Sequence, residues 1–165
     1  MNKRPSRLLC TRRASRGVAM VELAIVLPVL LTVLFAMAEI GRALLLQHQL
    51  VRHVEAAARY LGRSYQALNA DCSDGPQWST ASATATQLAL SGSEPGEGTV
   101  LIAGMTASDL SISVLPRTVP GAAPACVVQV SASVAYPSIF GATIPLLGVA
   151  QPTLNARSEE RYVGE

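Results

Sequence analysis

The chain has 165 residues, a length that suits one small domain with an appended segment. Half of its residues are hydrophobic, only 4% are aromatic, and the formal net charge is +2. This composition argues against nucleic-acid binding, which favours a broad basic surface and aromatic platforms for bases. The charge is uneven, however, because residues 1–17 hold six basic side chains and no acidic one.

A long apolar run follows this basic arm. The residues between Glu22 and Glu39 are all uncharged, and Thr32 is the only polar side chain among them. A helix over 18–41 would be about 35 Å long, enough to cross the hydrocarbon core of a bilayer. Membrane helices also tolerate a proline such as Pro28. The positive-inside rule then predicts that residues 1–17 are a cytoplasmic leader and that the chain beyond 41 lies outside.

The helical pattern continues beyond the apolar run. Glu55 and Arg59 are spaced for an ion pair across one helical turn. Apolar residues recur every three or four positions and form one stripe: Leu46, Leu50, Val54, Ala57, Leu61, Tyr65 and Leu68. The sequence therefore predicts that residues 42–68 continue the helix, outside the membrane and packed on a soluble domain. Turn-forming residues from Asn69 to Pro76 end it.

The remaining residues, 69–165, predict a small extracytoplasmic α+β domain. A helix is expected over 80–90, a loop over 91–98, and a short strand or helix end over 99–103. Alternating apolar and polar residues then predict strands over 110–114, 126–136 and 153–162, the second being the clearest. Three or four antiparallel strands packed on the long helix would give an α+β fold.

Two cysteines of this domain form a candidate pair. Cys72 and Cys126 lie outside the membrane in the predicted topology, whereas Cys10 lies in the basic arm. In an oxidising compartment their disulfide would close a loop of about 55 residues and contribute about 4 kcal/mol. The alternative is two buried free thiols. The segment Ile139–Leu147 is apolar for a loop, and it either folds over the sheet edge or contacts another subunit.

Two cleavage sites compete at the N-terminal end. The sequence Ala36-Met37-Ala38 suits signal peptidase, which would cut after Ala38 and release a secreted or periplasmic domain, for example an adhesive one. A cut after Gly17 would make Val18 the new N-terminus and Glu22 the fifth residue of the mature chain. The new amino group would then supply the positive partner that a carboxylate at the membrane edge needs. An uncleaved single-pass anchor is the third possibility.

The residues around this second site resemble type IV prepilins, and more closely the TadE-like minor pseudopilins of tight-adherence (Tad, or Flp) pilus systems. The resemblance covers roughly residues 14–62. One departure is Leu23, where Tad-type pilins usually have an aromatic residue; it argues against the short major pilin. The matching residues are Arg16 to Ala24, Leu27-Pro28, Glu39 to Arg42 and Ala56 to Tyr60.

The resemblance implies a pilin-like fold and a role in pilus assembly. Gly17 and Val18 would flank the bond cut by a prepilin peptidase, and Glu22 would be the assembly glutamate. The expected partners are that peptidase, the major Flp-type pilin, a sister pseudopilin, the inner-membrane pilus platform and the lipid bilayer. The expected location is the bacterial inner membrane, with the C-terminal domain extracytoplasmic, or the pilus itself.

The sequence offers few groups for catalysis. His48 and His53 are five residues apart on the predicted helix, which is a poor spacing for one face. Nucleophile motifs, a phosphate-binding glycine-rich turn and a CxxC pair are absent from the sequence. We therefore expect no enzyme activity, no metal site, no cofactor and no small-molecule substrate.

Overall fold

The structure is a computed structural model that describes residues 14–93, 98–118, 125–139 and 152–164. Its helices are α1 (Ala14–Arg63) and α2 (Trp78–Ser91), followed by a short 3-10 turn (Ala107–Asp109). Its strands are β1 (Leu110–Arg117), β2 (Ala125–Ala135) and β3 (Thr153–Arg161). The chain divides after Ile40 into two compact units, Met1–Ile40 and Gly41–Glu165. The predicted α+β layout, a long N-terminal helix and a small antiparallel sheet, is confirmed.

The three described strands form one antiparallel sheet in the order β1-β2-β3. In β2 the side chains alternate between a buried and a more exposed face, as the sequence pattern predicts. The register pairs Val130 with Ile112 on β1 and with Ser158 on β3. Because β2 is central and antiparallel to both neighbours, its buried face forms the middle of the sheet side of the core.

The core of the second unit joins α1, α2 and the sheet. From α1 it takes Leu50, Val54, Ala57 and Leu61, all members of the predicted stripe and all fully buried. From α2 it takes alanines spaced four apart, Ala81, Ala85 and Ala89, whose small side chains permit close packing. Val128 and Val130 of β2 are also fully buried or nearly so. The apolar periodicity of the sequence thus identifies the residues that hold this unit together.

The helix α1 ends at Arg63, five residues before its predicted end at 68. The backbone turns because Gln66 has a positive φ of 50°, and its N–H donates to the carbonyl of Gly164 at 3.2 Å. Ala67 and Leu68 are nevertheless buried, so they join the core from the turn after the helix. The predicted stripe was right about burial at Leu68 but wrong about the local backbone and about Tyr65, which is 65% exposed because it follows the end of the helix.

Residues 99–103 do not form the predicted strand or helix end. They make bends and a turn, in which Ile102 is buried and Val100 is half exposed. The N–H of Leu101 donates to the carbonyl of Leu90 at the end of α2, at 2.8 Å. This hydrogen bond attaches the segment to the end of α2, and the described sheet does not include it.

The turn after α1 is attached to the sheet by a disulfide. Cys72 and Cys126, the pair suggested by the sequence, are bonded with a Cα–Cα distance of 5.4 Å. The end of β3 also meets the end of α1, where the N–H of Val163 donates to the carbonyl of Gly62 at 2.8 Å. A Cβ at Gly62 would lie 3.1 Å from the carbonyl oxygen of Arg161, so glycine allows this close approach.

Candidate functional site

The first unit presents a helix with its apolar side chains exposed. Residues 17–38 are all exposed, including Val18 at 68% and Leu30 at 58%. The most apolar 18-residue window of α1 has a mean hydropathy of 2.6, and no part of that window is buried. Among the described residues, this is the one helix long and apolar enough to cross a membrane. Such a surface requires lipid or another apolar partner, since water solvates it poorly.

The predicted processing residues lie within this helix. Because α1 begins at Ala14, four residues before the predicted start at 18, both Gly17 and Val18 are in helical conformation. Nothing approaches within 4 Å of the position that a Cβ would take on Gly17. Val18, Val21, Glu22 and Ile25 follow the i, i+3, i+4, i+7 spacing and share one face of the helix.

Glu22 is the one charged residue on that face. Its side chain is exposed, and in the described part of the chain no basic side chain forms an ion pair with it. A carboxylate in apolar surroundings is costly unless a cation or hydrogen-bond donor reaches it. The surface around Glu22 is therefore suited to a partner that brings a positive charge along the same helix face.

Pro28 interrupts the backbone hydrogen bonding in the middle of the apolar run. It lacks an N–H, so the carbonyl four residues earlier loses its usual donor. The hydroxyl of Thr32 donates to the Pro28 carbonyl at 2.8 Å. The only polar side chain of the run thus satisfies its own hydrogen bond within the helix, which lowers its cost in an apolar medium.

The two histidines do not form a common site. His48 is exposed, and the ring of His53 lies against the glycine that ends α2. Across the described ranges, no group of three or more His, Cys, Asp or Glu side chains is placed to hold a metal ion. The apolar segment that the sequence singles out begins at Ile139, which is 68% exposed, and its other residues lie outside those described.

A contact that the sequence did not reveal lies just after the apolar run. Arg42 donates a hydrogen bond to the carbonyl of Pro137 at 2.9 Å, and its guanidinium lies 5.6 Å from the centre of the Tyr136 ring. This cation–π pair joins the first turns of α1 in the second unit to the end of β2. Arg42 and Pro137 are 95 positions apart, so no local pattern could have indicated this contact.

Part of α1 is similar to a known protein family. The model of the TadE family, described as TadE-like protein, matches residues 17–59. Over that segment the chain is similar to the TadE-like family. No curated protein and no solved structure matches the chain. The TadE-like segment contains Gly17, Val18 and Glu22 together with the exposed apolar helix, and it indicates a component related to the Tad pilus.

The match ends before the disulfide and the sheet begin. The TadE-like segment covers the apolar part of α1 and most of its continuation in the second unit. Cys72, Cys126, α2 and all three strands lie beyond it. The similarity to the TadE-like family is therefore confined to α1.

Proposed function

We propose that this chain is a minor pseudopilin, a structural and assembly component of a Tad-type pilus that acts by packing. The supporting observation is the TadE-like segment at 17–59, in which an exposed apolar helix carries Gly17 and Glu22 near its start. Helices of this kind associate side by side, because burying their apolar faces against one another replaces lipid contacts with tighter packing. The chain would be inserted with residues 1–17 in the cytoplasm and the sheet domain outside.

Processing after Gly17 would complete this role. Glycine is among the weakest helix formers, costing about 1 kcal/mol relative to alanine, so the helix is easiest to open at the bond that a prepilin peptidase would cut. The new amino group at Val18 would lie four residues from Glu22, on the same helix face or on a neighbouring subunit. In the second arrangement each Glu22 would neutralise the N-terminus of the next helix and set the axial register.

The proposed partners follow from this arrangement. A prepilin peptidase would act on the chain at the cytoplasmic face, and the major Flp-type pilin or a sister pseudopilin would pack against the apolar helix. The inner-membrane pilus platform would hold the inserted chain before assembly. In this proposal residues 18–41 span the membrane, 42–68 continue outside it, and 69–165 form the extracytoplasmic domain.

The first test is the N-terminal sequence and intact mass of the protein isolated from its native membrane. We expect the chain to begin at Val18. A start at Glu39 would show cleavage by signal peptidase after Ala38 and a released domain. A start at Met1 would show an uncleaved anchor. Either of these two results would contradict the proposed processing.

The assembly role of Glu22 has a separate test. We expect Glu22→Ala to insert and be cleaved normally but to enter pili poorly, because the buried N-terminal charge loses its partner. Glu22→Asp, which keeps the charge on a shorter side chain, should retain part of the assembly. Co-purification of the chain with sheared pili measures both. Unchanged co-purification of Glu22→Ala would remove the role assigned to this carboxylate.

A further inference from the structure

A groove in the second unit lies beside the last turns of α1. Its walls come from α1, the turn after it and the first turn of α2, and its volume is about 690 Å³. This size is in the range of binding clefts in proteins. The larger residues that line it are Arg59, Tyr60, Arg63, Tyr65, Gln77 and Thr80, and none of its lining residues is acidic.

The groove carries two positive side chains that are able to bind a ligand. Arg59 is 64% exposed and lies 3.7 Å from Glu55 and 3.9 Å from Glu160, distances at which exposed ion pairs contribute little. Arg63 takes part in none of the ion pairs found among the described residues. Both guanidinium groups are therefore able to turn toward an incoming carboxylate and bind it through two parallel hydrogen bonds.

Two tyrosines add apolar surface and hydroxyl donors to the groove. Tyr60 is 39% exposed and Tyr65 is 65% exposed, although both are large aromatic side chains. The hydroxyl of Tyr65 accepts a hydrogen bond from Gln66 Nε2 at 3.2 Å, so its own proton remains available for a ligand. Tyrosine and arginine are the residue types enriched where proteins bind other proteins.

The spacing of the arginines indicates the shape of the ligand. Arg59 and Arg63 are four residues apart on α1, a rise of about 6 Å. Carboxylates two residues apart on an extended peptide are separated by about 6.6 Å. We propose that this groove binds an extended segment of a partner protein that carries the pattern acidic-any-acidic, with one carboxylate on each arginine.

A nucleic acid fits this groove less well. The second unit, residues 41–165, has seven basic and nine acidic side chains, so its formal charge is −2. Nucleic-acid-binding surfaces carry a broad basic stripe, whereas this groove presents two arginines. The proposal concerns the second unit alone and does not depend on cleavage at Gly17 or on pilus assembly.

The test uses the full chain in detergent micelles and the fluorescence anisotropy of a labelled Gly-Ser-Glu-Ser-Glu-Ser-Gly peptide. We expect binding that weakens as salt is raised, because the contact is electrostatic. Arg59→Ala and Arg63→Ala should each weaken the binding about tenfold, the loss expected for one charge-assisted pair. A peptide with lysine in place of both glutamates should not bind. A peptide with its glutamates adjacent should bind more weakly, since only one carboxylate then reaches an arginine.

Arg52→Ala is the matched control, since Arg52 is exposed on the same helix but does not line the groove. It should bind the acidic peptide as the unchanged protein does. Arg63→Gln removes the same charge by a milder change at an exposed position. A similar loss of binding in Arg63→Gln and Arg63→Ala would therefore come from the missing charge and not from a loss of folding. The proposal is overturned by no binding of the acidic peptide, by equal binding of the lysine peptide, by full binding in both arginine variants, or by tighter binding of an oligothymidylate.

Discussion

His53 lies on α1 with its imidazole ring against Gly92, the residue that ends α2. Gly92 has a φ of 73°, and a Cβ there would lie 2.7 Å from His53 Nε2, so both the backbone angle and the ring require glycine. The Nδ1 atom of His53 is buried and has no hydrogen-bond partner within the described part of the chain. Burial lowers the pKa of His53, and a backbone hydrogen bond with Ala89 opposes that shift only in part.

This environment predicts a pH dependence of stability. Because the pKa of His53 is lower in the folded chain than the ordinary 6.5, protonation favours the unfolded state. The contribution of neutral His53 is fully present above about pH 6.5 and is lost as the pH falls through the folded pKa. Urea unfolding of the full chain in micelles, followed by the fluorescence of Trp78, should show a lower midpoint at about pH 5 than at about pH 7.5.

Substitution separates His53 from other titrating groups. His53→Gln should flatten the dependence between these pH values, whereas His48→Gln, at an exposed position, should leave it intact. The pKa values of Asp71 and Glu159 are also lowered, by hydrogen bonds from Ser73 and Arg157, so both groups titrate below the ordinary carboxyl range in the folded chain. Their contributions are lost only at more acidic pH. An unchanged dependence in His53→Gln would assign it to another group.

The disulfide holds a turn in which one residue has an unfavourable backbone conformation. Cys72 has a φ of 66°, a left-handed conformation that side chains other than glycine and asparagine seldom adopt. Its partner Cys126 lies in β2 and is 92% buried, with 8% of its surface exposed. The bond therefore attaches the turn between α1 and α2 to the central strand of the sheet.

Removing this bond should cost much of the stability of the second unit. The two cysteines are 54 positions apart, and closing a loop of that size contributes about 4 kcal/mol in the chain-entropy model. We expect the double variant Cys72→Ala/Cys126→Ala to unfold at a markedly lower urea concentration than the oxidised chain. Cys10→Ala, which leaves the bond intact, is the control. Equal midpoints for the oxidised chain and the double variant would contradict this stabilisation.

The sequence predicted well those helices and strands that bury one face with a regular period. It predicted less well the places where the backbone conformation involves contacts with distant segments. The stripe from Leu46 to Leu61 indicated the buried side of α1, because packing follows helical periodicity. The turn after the helix end at Arg63 instead contains a hydrogen bond from Gln66 to Gly164, 98 positions away, which no local pattern indicates. The observed start of α2 at Trp78 lies two residues before the predicted start at 80, and Gln77, the residue before it, makes no side-chain cap that a sequence pattern could have indicated.

The candidate sites also differ in whether neighbouring or distant residues form them. Gly17, Val18 and Glu22 are local in sequence, so a motif can indicate them, although their roles stay predictions. The groove between Arg59 and Thr80 needs α1, its turn and α2 in place before its charge is evident. The pairing of His53 with Gly92 likewise joins residues 39 positions apart. A sequence motif can therefore identify a site within one helix or strand. A cleft between several elements can be identified only once the fold is known.

Two exposed leucines of α1 test where along this helix lipid contact ends. Leu30 and Leu45 are both exposed leucines on this helix, at 58% and 66%. The proposed span of 18–41 places Leu30 near the middle of the bilayer and Leu45 outside it. An arginine at the centre of a membrane helix costs about 3 kcal/mol of insertion, whereas one beyond the membrane surface costs little.

We therefore expect Leu30→Arg to lower the fraction of protein that remains in membranes after alkaline carbonate extraction, and Leu45→Arg to leave that fraction unchanged. The two variants differ only in position, since they introduce the same side chain at exposed leucines of one helix. An equal loss in both would move the lipid boundary beyond residue 45 and place the first turns of the second unit in the membrane. Full retention of Leu30→Arg would mean that the apolar face of α1 is covered by protein, since only a partner could shield the arginine from lipid.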